Sequence, residues 1–276
     1  MIIKTKAYAK INLCLKILDK LPNGYHNLST VMQRISLFDD IKIEIKDTDS
    51  RNIKILCSDE NISSEKNIAY KAADLFFSRS AINGDIEIYI KKNIPAQAGL
   101  GGGSSDAAAV FSVLNQYYNN IFTEKELIAL AAKTGADVPF FVKNKSRALC
   151  EGIGEIITPI DTDDADTKKF HVLIVKPSYN ISTKQAFEDF DNYKKSENSD
   201  KSNSFENDFT VLAFSQNKNL RDIYEIILKH GALKSELSGS GSSLFGIFND
   251  YNTAENCKKT LKSRNDVEFC DIFEYI

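Results

Sequence analysis

The sequence predicts an α+β fold in two halves. Strand and helix patterns follow one another in an irregular order. This favours the α+β class over an α/β fold, in which strands and helices alternate regularly to form a parallel sheet. A chain of 276 residues is long enough for one large domain or two modest ones. The charged stretch 161–166 has almost no apolar residues and suits a solvated junction. We therefore expect one domain over residues 1–160 and a second over residues 161–276.

The first part of the chain predicts a strand-rich half. Residues 5–18 alternate apolar and polar side chains, which is typical of a half-buried strand, and the dipeptide Asn23-Gly24 indicates a tight turn after it. Lys10 and Asn12 share the polar side of this strand, so both side chains could point into a cleft. The elements expected next are strands 31–37, 40–46 and 53–57, a helix over 67–77 and a strand over 86–90.

Residues 95–109 change abruptly from maximal backbone freedom to strong helix formers. Four glycines between residues 99 and 103 lack a Cβ, so their N–H groups can converge on an anion. Ser104, Ser105 and Asp106 are good N-cap residues for the alanine-rich helix that follows. Such a helix start predicts a phosphate site. Neither G-x-x-x-x-G-K-[ST] nor G-x-G-x-x-G fits the spacing, and a plain linker would not be followed by a capped helix.

The remaining elements follow from caps, breakers and alternation. Thr123 and Glu126 form a capping signal for a helix through Lys133, and Pro139 suits the first turn of a short helix. An Asn-, Ser-, Lys- and Glu-rich stretch over 191–207 predicts a mobile loop. The other expected elements are a hairpin over 147–159, a strand over 171–176, helices from 183, over 220–230 and over 252–262, a glycine-serine turn over 238–243, and strands 244–248 and 268–273.

Composition argues against several classes of function. A net charge of −3 and a pI near 5.8 do not suggest a nucleic-acid or membrane-surface partner. The five scattered cysteines lack metal-ligand spacing and indicate reduced thiols in a cytoplasmic protein. We see no signal peptide and no apolar run of membrane-spanning length, and the three dispersed histidines argue against a zinc site. Nothing in the sequence implies an obligate protein partner.

Taken together, the motifs resemble the GHMP family of small-molecule kinases. The family pattern Pro-x-x-x-Gly-Leu-Gly-Ser-Ser-Ala is matched by residues 95–105 with two extra glycines. Further matching blocks run from near one end of the chain to near the other: 9–13, 23–26, 135–141 and 238–242. The resemblance implies an N-terminal half like the second domain of ribosomal protein S5, a ferredoxin-like C-terminal half, and an active site in the cleft between them.

The resemblance also implies a reaction and its residues. ATP, with Mg²⁺, would donate its γ-phosphate to a hydroxyl. The form of the motif with two extra glycines resembles that of family members which act on methylerythritol joined through a diphosphate to cytidine. Asp137 would be the base and Lys10 its cationic neighbour. The residues implied in ATP binding are Pro95, Ala96, Gln97, Ala98, Gly99, Leu100, Gly101, Gly102, Gly103, Ser104 and Ser105. Those implied in substrate binding are Asn12, Tyr25, His26, Asp137, Phe187, Ser240 and Gly241.

Some of these assignments have alternatives. Tyr179 competes with Phe187 for stacking on the cytosine, and Phe187 could instead be a core residue. Asp137 could cap the helix before Pro139, with or without a catalytic role. No Mg²⁺ ligand is certain, although Ser105 is a candidate, and Asp106 could cap a helix or touch a ligand. Another GHMP activity, such as homoserine kinase, and a catalytically silent nucleotide-binding protein are the alternative functions.

Overall fold

Two β-sheets and the helices packed on them make up the described part of the molecule. The computed structural model describes residues 1–59, 64–161, 170–195 and 205–276. Within these ranges one sheet has six strands and the other has four. The predicted α+β class is therefore confirmed. The predicted junction falls largely on residues outside the described ranges, and the domain boundary between residues 160 and 161 stays a prediction.

Two long antiparallel strands, β1 (Ile2–Lys20) and β2 (His26–Lys46), organise the six-stranded sheet. The other edge of β2 pairs with β4 (Gly84–Lys91) and β5 (Arg147–Gly152), and β3 (Arg51–Cys57) and β6 (Ile156–Pro159) complete the sheet. The prediction of two strands over 31–46 is wrong. The strand is continuous because Phe38, Asp39 and Asp40 pair in unbroken register with residues 8, 7 and 6 of β1. The Asp39 carboxylate also accepts hydrogen bonds from the N–H groups of Asn93 and Ile94.

Four helices pack against this sheet: α1 (Ile68–Ser80), α2 (Gly102–Tyr117), α3 (Glu124–Ala131) and α4 (Val138–Lys143). The capping box at Thr123 is confirmed. The predicted caps of α2 are wrong, because the helix begins earlier, with Gly101 at the N-cap and no side-chain cap. Ser105 and Asp106 lie inside the helix and are buried.

The second sheet has the strand order β10 (Val267–Glu274), β7 (His171–Pro177), β9 (Leu244–Phe248) and β8 (Lys234–Leu237), all antiparallel. Its helices are α5 (Thr183–Lys195), α6 (Thr210–Gln216), α7 (Lys218–Lys229) and α8 (Tyr251–Lys262). The order of elements contains the β-α-β-β-α-β arrangement of a ferredoxin-like half. No described helix has the length and apolar character to span a bilayer.

The region predicted as a mobile loop is in part ordered structure. Asp191 belongs to α5, and the helix continues to Lys195. At the other end of the stretch Asn207 is fully buried and its backbone forms a bridge to Leu15 in β1. The prediction is therefore wrong at both ends, and residues 196–204 lie outside the described ranges. Long-range contacts hold these polar residues, and local composition does not report such contacts.

An apolar cluster joins the two sheets. It combines Ile11 and Ile35 of the first sheet with Ile174 and Phe245 of the second, all without exposed surface. Ala98 and Leu100 of the glycine segment belong to the same cluster. Burial of the Ala98 and Leu100 side chains holds the backbone of the glycine segment in place, because moving them would expose apolar surface to water.

Candidate active site

A cleft of about 530 Å³ opens above this apolar cluster. Its lining comes from β1 and β2, the first turns of α5 and the turn at 239–240. The other lining residues are Ile68, Lys92, residues 94–104, 136–137 and 153–154, and Phe209. All residues from Pro95 to Ser104 line it. Ser105 does not, because its side chain is buried inside α2. The cleft therefore gathers most of the predicted nucleotide-binding segment.

The glycine segment has a backbone that other residues cannot adopt without strain. Gly99 and Gly101 have φ angles of 72° and 71°. A Cβ on Gly99 would lie 2.0 Å from the carbonyl oxygen of Ser238, and one on Gly101 would lie 3.0 Å from the ring of Phe141. Helix α2 starts directly afterwards, so its first N–H groups lack helical partners and carry the positive end of the dipole. This geometry suits a phosphate group.

Lys10 and Asp137 meet in the cleft. Lys10 Nζ lies 3.3 Å from Asp137 Oδ2 and donates hydrogen bonds to Asn12 Oδ1 at 2.6 Å and to the Gly99 carbonyl at 2.9 Å. Alternation along β1 places Lys10 and Asn12 on one face, and Asn12 is fixed by its hydrogen bond to Thr30 Oγ1. The Lys10 side chain is 3% exposed and that of Asp137 is 29% exposed. The cation is therefore held rigidly while the carboxylate remains open to a ligand.

The carboxylate of Asp137 does not cap the helix that follows it. Asp137 occupies the N-cap position of α4, but its backbone is helical, with φ −85° and ψ −13°, and its side chain makes no capping hydrogen bond. The capping alternative is wrong because a capping side chain needs an extended backbone at this position. The carboxylate is left for Lys10 and the cleft.

The second glycine-serine turn packs directly on the first glycine segment. Ser238 Oγ donates to the Gly99 carbonyl at 3.0 Å, and the Ser243 N–H donates to the Ala98 carbonyl at 3.3 Å. Ser240 lines the cleft, and its hydroxyl lies 2.9 Å from Thr183 Oγ1. Gly241 does not line the cleft, since the space next to its Cα is taken by Ile181 and Leu237.

The predicted aromatic residues are only partly brought together. Phe187 lines the cleft, whereas Tyr25, His26 and Tyr179 do not. Tyr25 is 59% exposed, and His26 is buried with its ring parallel to Phe187, at 5.0 Å between centroids and 13° between planes. His26 Nε2 lies 2.8 Å from Asp191 Oδ1. The hydrogen bond from Lys20, together with that of His26, keeps the pKa of Asp191 below its ordinary value.

Lys92, which belongs to none of the sequence motifs, lines the cleft beside the glycine segment. Its ammonium group donates to Asp39 and, at 2.7 Å, to Asp106 Oδ2. Asp106 Oδ1 is buried without a hydrogen-bond partner among the described residues. Burial raises the pKa of Asp106 to about 7, although the Lys92 charge opposes this shift. The signal available in the sequence was a lysine between the strand at 84–91 and the glycines.

Family models and curated relatives match this chain over most of its length. Residues 67–145 match the family model of the GHMP kinases N terminal domain, and residues 184–266 match that of the GHMP kinases C terminal. A 4-diphosphocytidyl-2-C-methyl-D-erythritol kinase of Clostridium tetani is 38% identical, with 95% of this chain and 96% of the relative covered. A kinase of the same name from Desulfotalea psychrophila is 37% identical, with 88% and 84% covered.

Solved structures of such kinases share the fold. A crystal structure of 4-(cytidine 5'-diphospho)-2C-methyl-D-erythritol kinase superposes with a TM-score of 0.77 at 25% identity, with 99% of each chain covered. The mevalonate kinase of Methanococcus jannaschii gives a TM-score of 0.69 at 18% identity, with 100% of this chain and 98% of the other covered. The second likeness supports the fold alone.

Proposed function

This chain belongs to the GHMP kinase family, and we propose that it transfers the γ-phosphate of ATP to a hydroxyl of 4-diphosphocytidyl-2-C-methyl-D-erythritol. The products are the 2-phosphate and ADP, in the non-mevalonate route to isoprenoid precursors. The relatives' names support the choice of substrate. The observation that carries the reaction type is the Lys10–Asp137 pair, which faces the glycine segment within one cleft. The scattered cysteines, without metal-ligand spacing, support a cytoplasmic location.

Asp137 is the proposed base. Its carboxylate is partly exposed in the cleft and is not used by the helix behind it, so it can accept the proton of an attacking hydroxyl. Lys10 holds the carboxylate from the side opposite the solvent and brings a positive charge near the transferred phosphoryl group. Because Lys10 is fixed by Asn12 and Gly99, the pair needs little reorganisation when substrate arrives.

The glycine segment and the start of α2 are the proposed phosphate-binding elements. Their N–H groups would bind the phosphate oxygens, and Lys92 would add a cation beside them. Mg²⁺ fits this site as an ion carried mainly by the phosphates. The described residues contain no group of three or more His, Cys, Asp or Glu side chains suited to hold a metal. Ser104 and Asp137 line the cleft and offer oxygen ligands; bound there, the ion would neutralise phosphate charge.

Phe187 is the proposed stacking platform for the cytosine. Phe187 lines the cleft, and its ring packs in a T-shaped arrangement against that of Phe209, at 5.0 Å between centroids. His26 already lies parallel to it, so a base that stacks on that face requires the imidazole to move away. Tyr25 and His26 stay in the proposal as residues that reach the base after this movement.

ADP release by the purified protein tests the proposal. The assay contains Mg-ATP and, in separate reactions, 4-diphosphocytidyl-2-C-methyl-D-erythritol, homoserine, mevalonate, galactose or no acceptor. We expect turnover above the acceptor-free rate only with the cytidylated alcohol. Turnover with another acceptor would retain the reaction type and overturn the substrate. ATP binding without turnover on any acceptor would favour a catalytically silent protein.

A further inference from the structure

Asn207 connects β1 with the glycine-serine turn at 238–243, although it does not line the cleft. It is fully buried in the segment between α5 and α6. The backbone on either side of it is tied to β1: the Leu15 N–H donates to the Glu206 carbonyl at 2.9 Å, and the Asp208 N–H donates to the Leu15 carbonyl at 3.0 Å. This short stretch therefore pairs with the strand that carries Lys10, five residues before Leu15.

The carboxamide of Asn207 holds the backbone of the second glycine-serine turn. Its Nδ2 donates to the Leu237 carbonyl at 2.8 Å and to the Gly239 carbonyl at 2.7 Å. Its Oδ1 accepts from the N–H of Phe209 at 3.0 Å. One N–H group of the amide is thus used on the last residue of β8 and the other on the turn that follows it. The oxygen is used on Phe209, a residue that lines the cleft.

The turn held by Asn207 contacts the catalytic pair closely. Ser238 shares the Gly99 carbonyl with Lys10 as a second donor. A Cβ on Gly239 would lie 3.4 Å from Lys10 Nζ and 3.5 Å from Asn12 Oδ1, so this residue forms the wall beside the ammonium group. A shift of the turn would therefore change the distance between Lys10 and Asp137, on which the reaction depends.

We propose that Asn207 is a positioning residue for phosphoryl transfer. It keeps Lys10 aligned with Asp137 by fixing residues 237–239 against β1. The proposal rests on the kinase function proposed above, but it does not depend on which alcohol is phosphorylated. Asn207 does not touch the reacting groups, and it acts through the carbonyls of Leu237 and Gly239.

Asn207→Asp is the test variant, because it keeps the size and the accepting oxygen and removes both donors. Its carboxyl would lie against two carbonyl oxygens, near the carboxylates of Glu206, Asp208 and Glu236. Lys234 and Lys16 pair with Glu206 and Asp208, and Thr210 donates to Glu236. Lys10 lies beyond Gly239. This setting raises the pKa of the introduced carboxyl, so lowering the pH adds a proton and restores one donor.

Asn115→Asp is the matched control. Asn115 is also a buried asparagine whose amide bridges a loop, donating to the Phe122 carbonyl at 2.9 Å and accepting from the Phe122 N–H at 3.0 Å, and it does not line the cleft. Both variants are compared with wild type on whichever acceptor the wild type phosphorylates. Rates are normalised to folded protein, determined by circular dichroism in the same buffer.

We expect Asn207→Asp to lower kcat about 100-fold at pH 8 with the KM for ATP within about threefold, and the control to retain wild-type kcat. The ratio of variant to wild-type kcat should rise as pH falls from 8 to 6. A normalised kcat within threefold of the control, or a ratio that does not change with pH, would overturn the proposal. If Asn207→Asp does not fold, Asn207→Ser replaces it: one hydroxyl donor reaches at most one carbonyl, so kcat should fall about tenfold, and an unchanged kcat would again overturn it.

Hydrogen exchange separates this proposal from the kinase assignment. Amide exchange over residues 237–243 should accelerate in Asn207→Asp and stay unchanged in Asn115→Asp, whether or not the protein turns over any acceptor. A wild type without activity would overturn the proposed function. Unchanged exchange over this segment would overturn the anchoring role of Asn207 by itself.

Discussion

The carbonyl oxygen of Gly99 accepts one side-chain hydrogen bond from each half of the molecule. Lys10 donates to it at 2.9 Å and Ser238 donates to it at 3.0 Å. The position of the Lys10 ammonium is consequently set by backbone geometry as well as by its own rotamer. Holding a lysine in one position costs side-chain entropy, and its hydrogen bonds to Asn12 and Gly99 offset this cost.

Asp137→Asn should lower turnover by about 10²- to 10⁴-fold while ATP binding remains within a few-fold, because the amide cannot accept the hydroxyl proton. Steady-state ADP release and nucleotide titration measure the two effects. Asp250→Asn is the control: Asp250 also precedes a helix, but its carboxylate caps α8 through the Thr253 N–H, and it does not line the cleft. Equal turnover in the two variants would remove Asp137 from the mechanism.

Asp106→Asn should change how stability depends on pH. Burial raises the pKa of Asp106 to about 7, above the unfolded value of about 4. The folded protein therefore binds this proton more tightly, and the resulting stability is present at low pH and is lost as pH rises through about 7, by up to about 1.4 kcal/mol per pH unit. The free energy of unfolding, measured with urea at pH 5 and at pH 8, should therefore fall less between these two pH values in the variant than in the wild type. Identical losses would contradict the assignment of this proton to Asp106.

At the scale of elements, the contact between the glycine segment and the second turn allows almost no extra volume. Gly99→Ala should cost about 2–4 kcal/mol of stability and most of the activity, because its Cβ would meet the Ser238 carbonyl oxygen at 2.0 Å. Gly24→Ala isolates the backbone strain: Gly24 has φ 87°, but nothing lies within 4 Å of an added Cβ. Thermal unfolding and ADP release measure both variants, and equal costs would argue against the clash.

Sequence periodicity predicted most elements because burial on one face leaves a local trace. Alternation over residues 5–18 predicted β1 and placed Lys10 and Asn12 on one face. In the structure Lys10 Nζ lies 2.6 Å from Asn12 Oδ1. The break expected between residues 37 and 40 was wrong because this stretch pairs with β1 and its Asp39 carboxylate bonds to Asn93 and Ile94, all of which are distant in sequence. Asn207 was placed in a mobile loop for the same reason. The roles of the site residues stay predictions until the variants are measured.

At the scale of the whole molecule, the apolar cluster between the sheets should couple their stabilities. Phe245→Ala should lower the free energy of unfolding by about 3–5 kcal/mol, since this ring is fully buried between the halves. Phe76→Ala is the control, a ring of equal burial inside the first half. In Phe245→Ala, we expect activity to be lost at a lower urea concentration than the circular dichroism signal. In Phe76→Ala, we expect the two to be lost together. Coincident losses in both variants would contradict this coupling.

The sharing of one carbonyl by Lys10 and Ser238 also has a consequence for biosynthesis. Ribosomes release Lys10 and the glycine segment long before Ser238, so a growing chain first carries the glycine segment without the turn that packs on it. A chain that ends before residue 238 therefore lacks one of the two side-chain donors to the Gly99 carbonyl. Under the proposed function, the arrangement around Lys10 is therefore complete only after residue 238 has been synthesised and has folded onto the glycine segment.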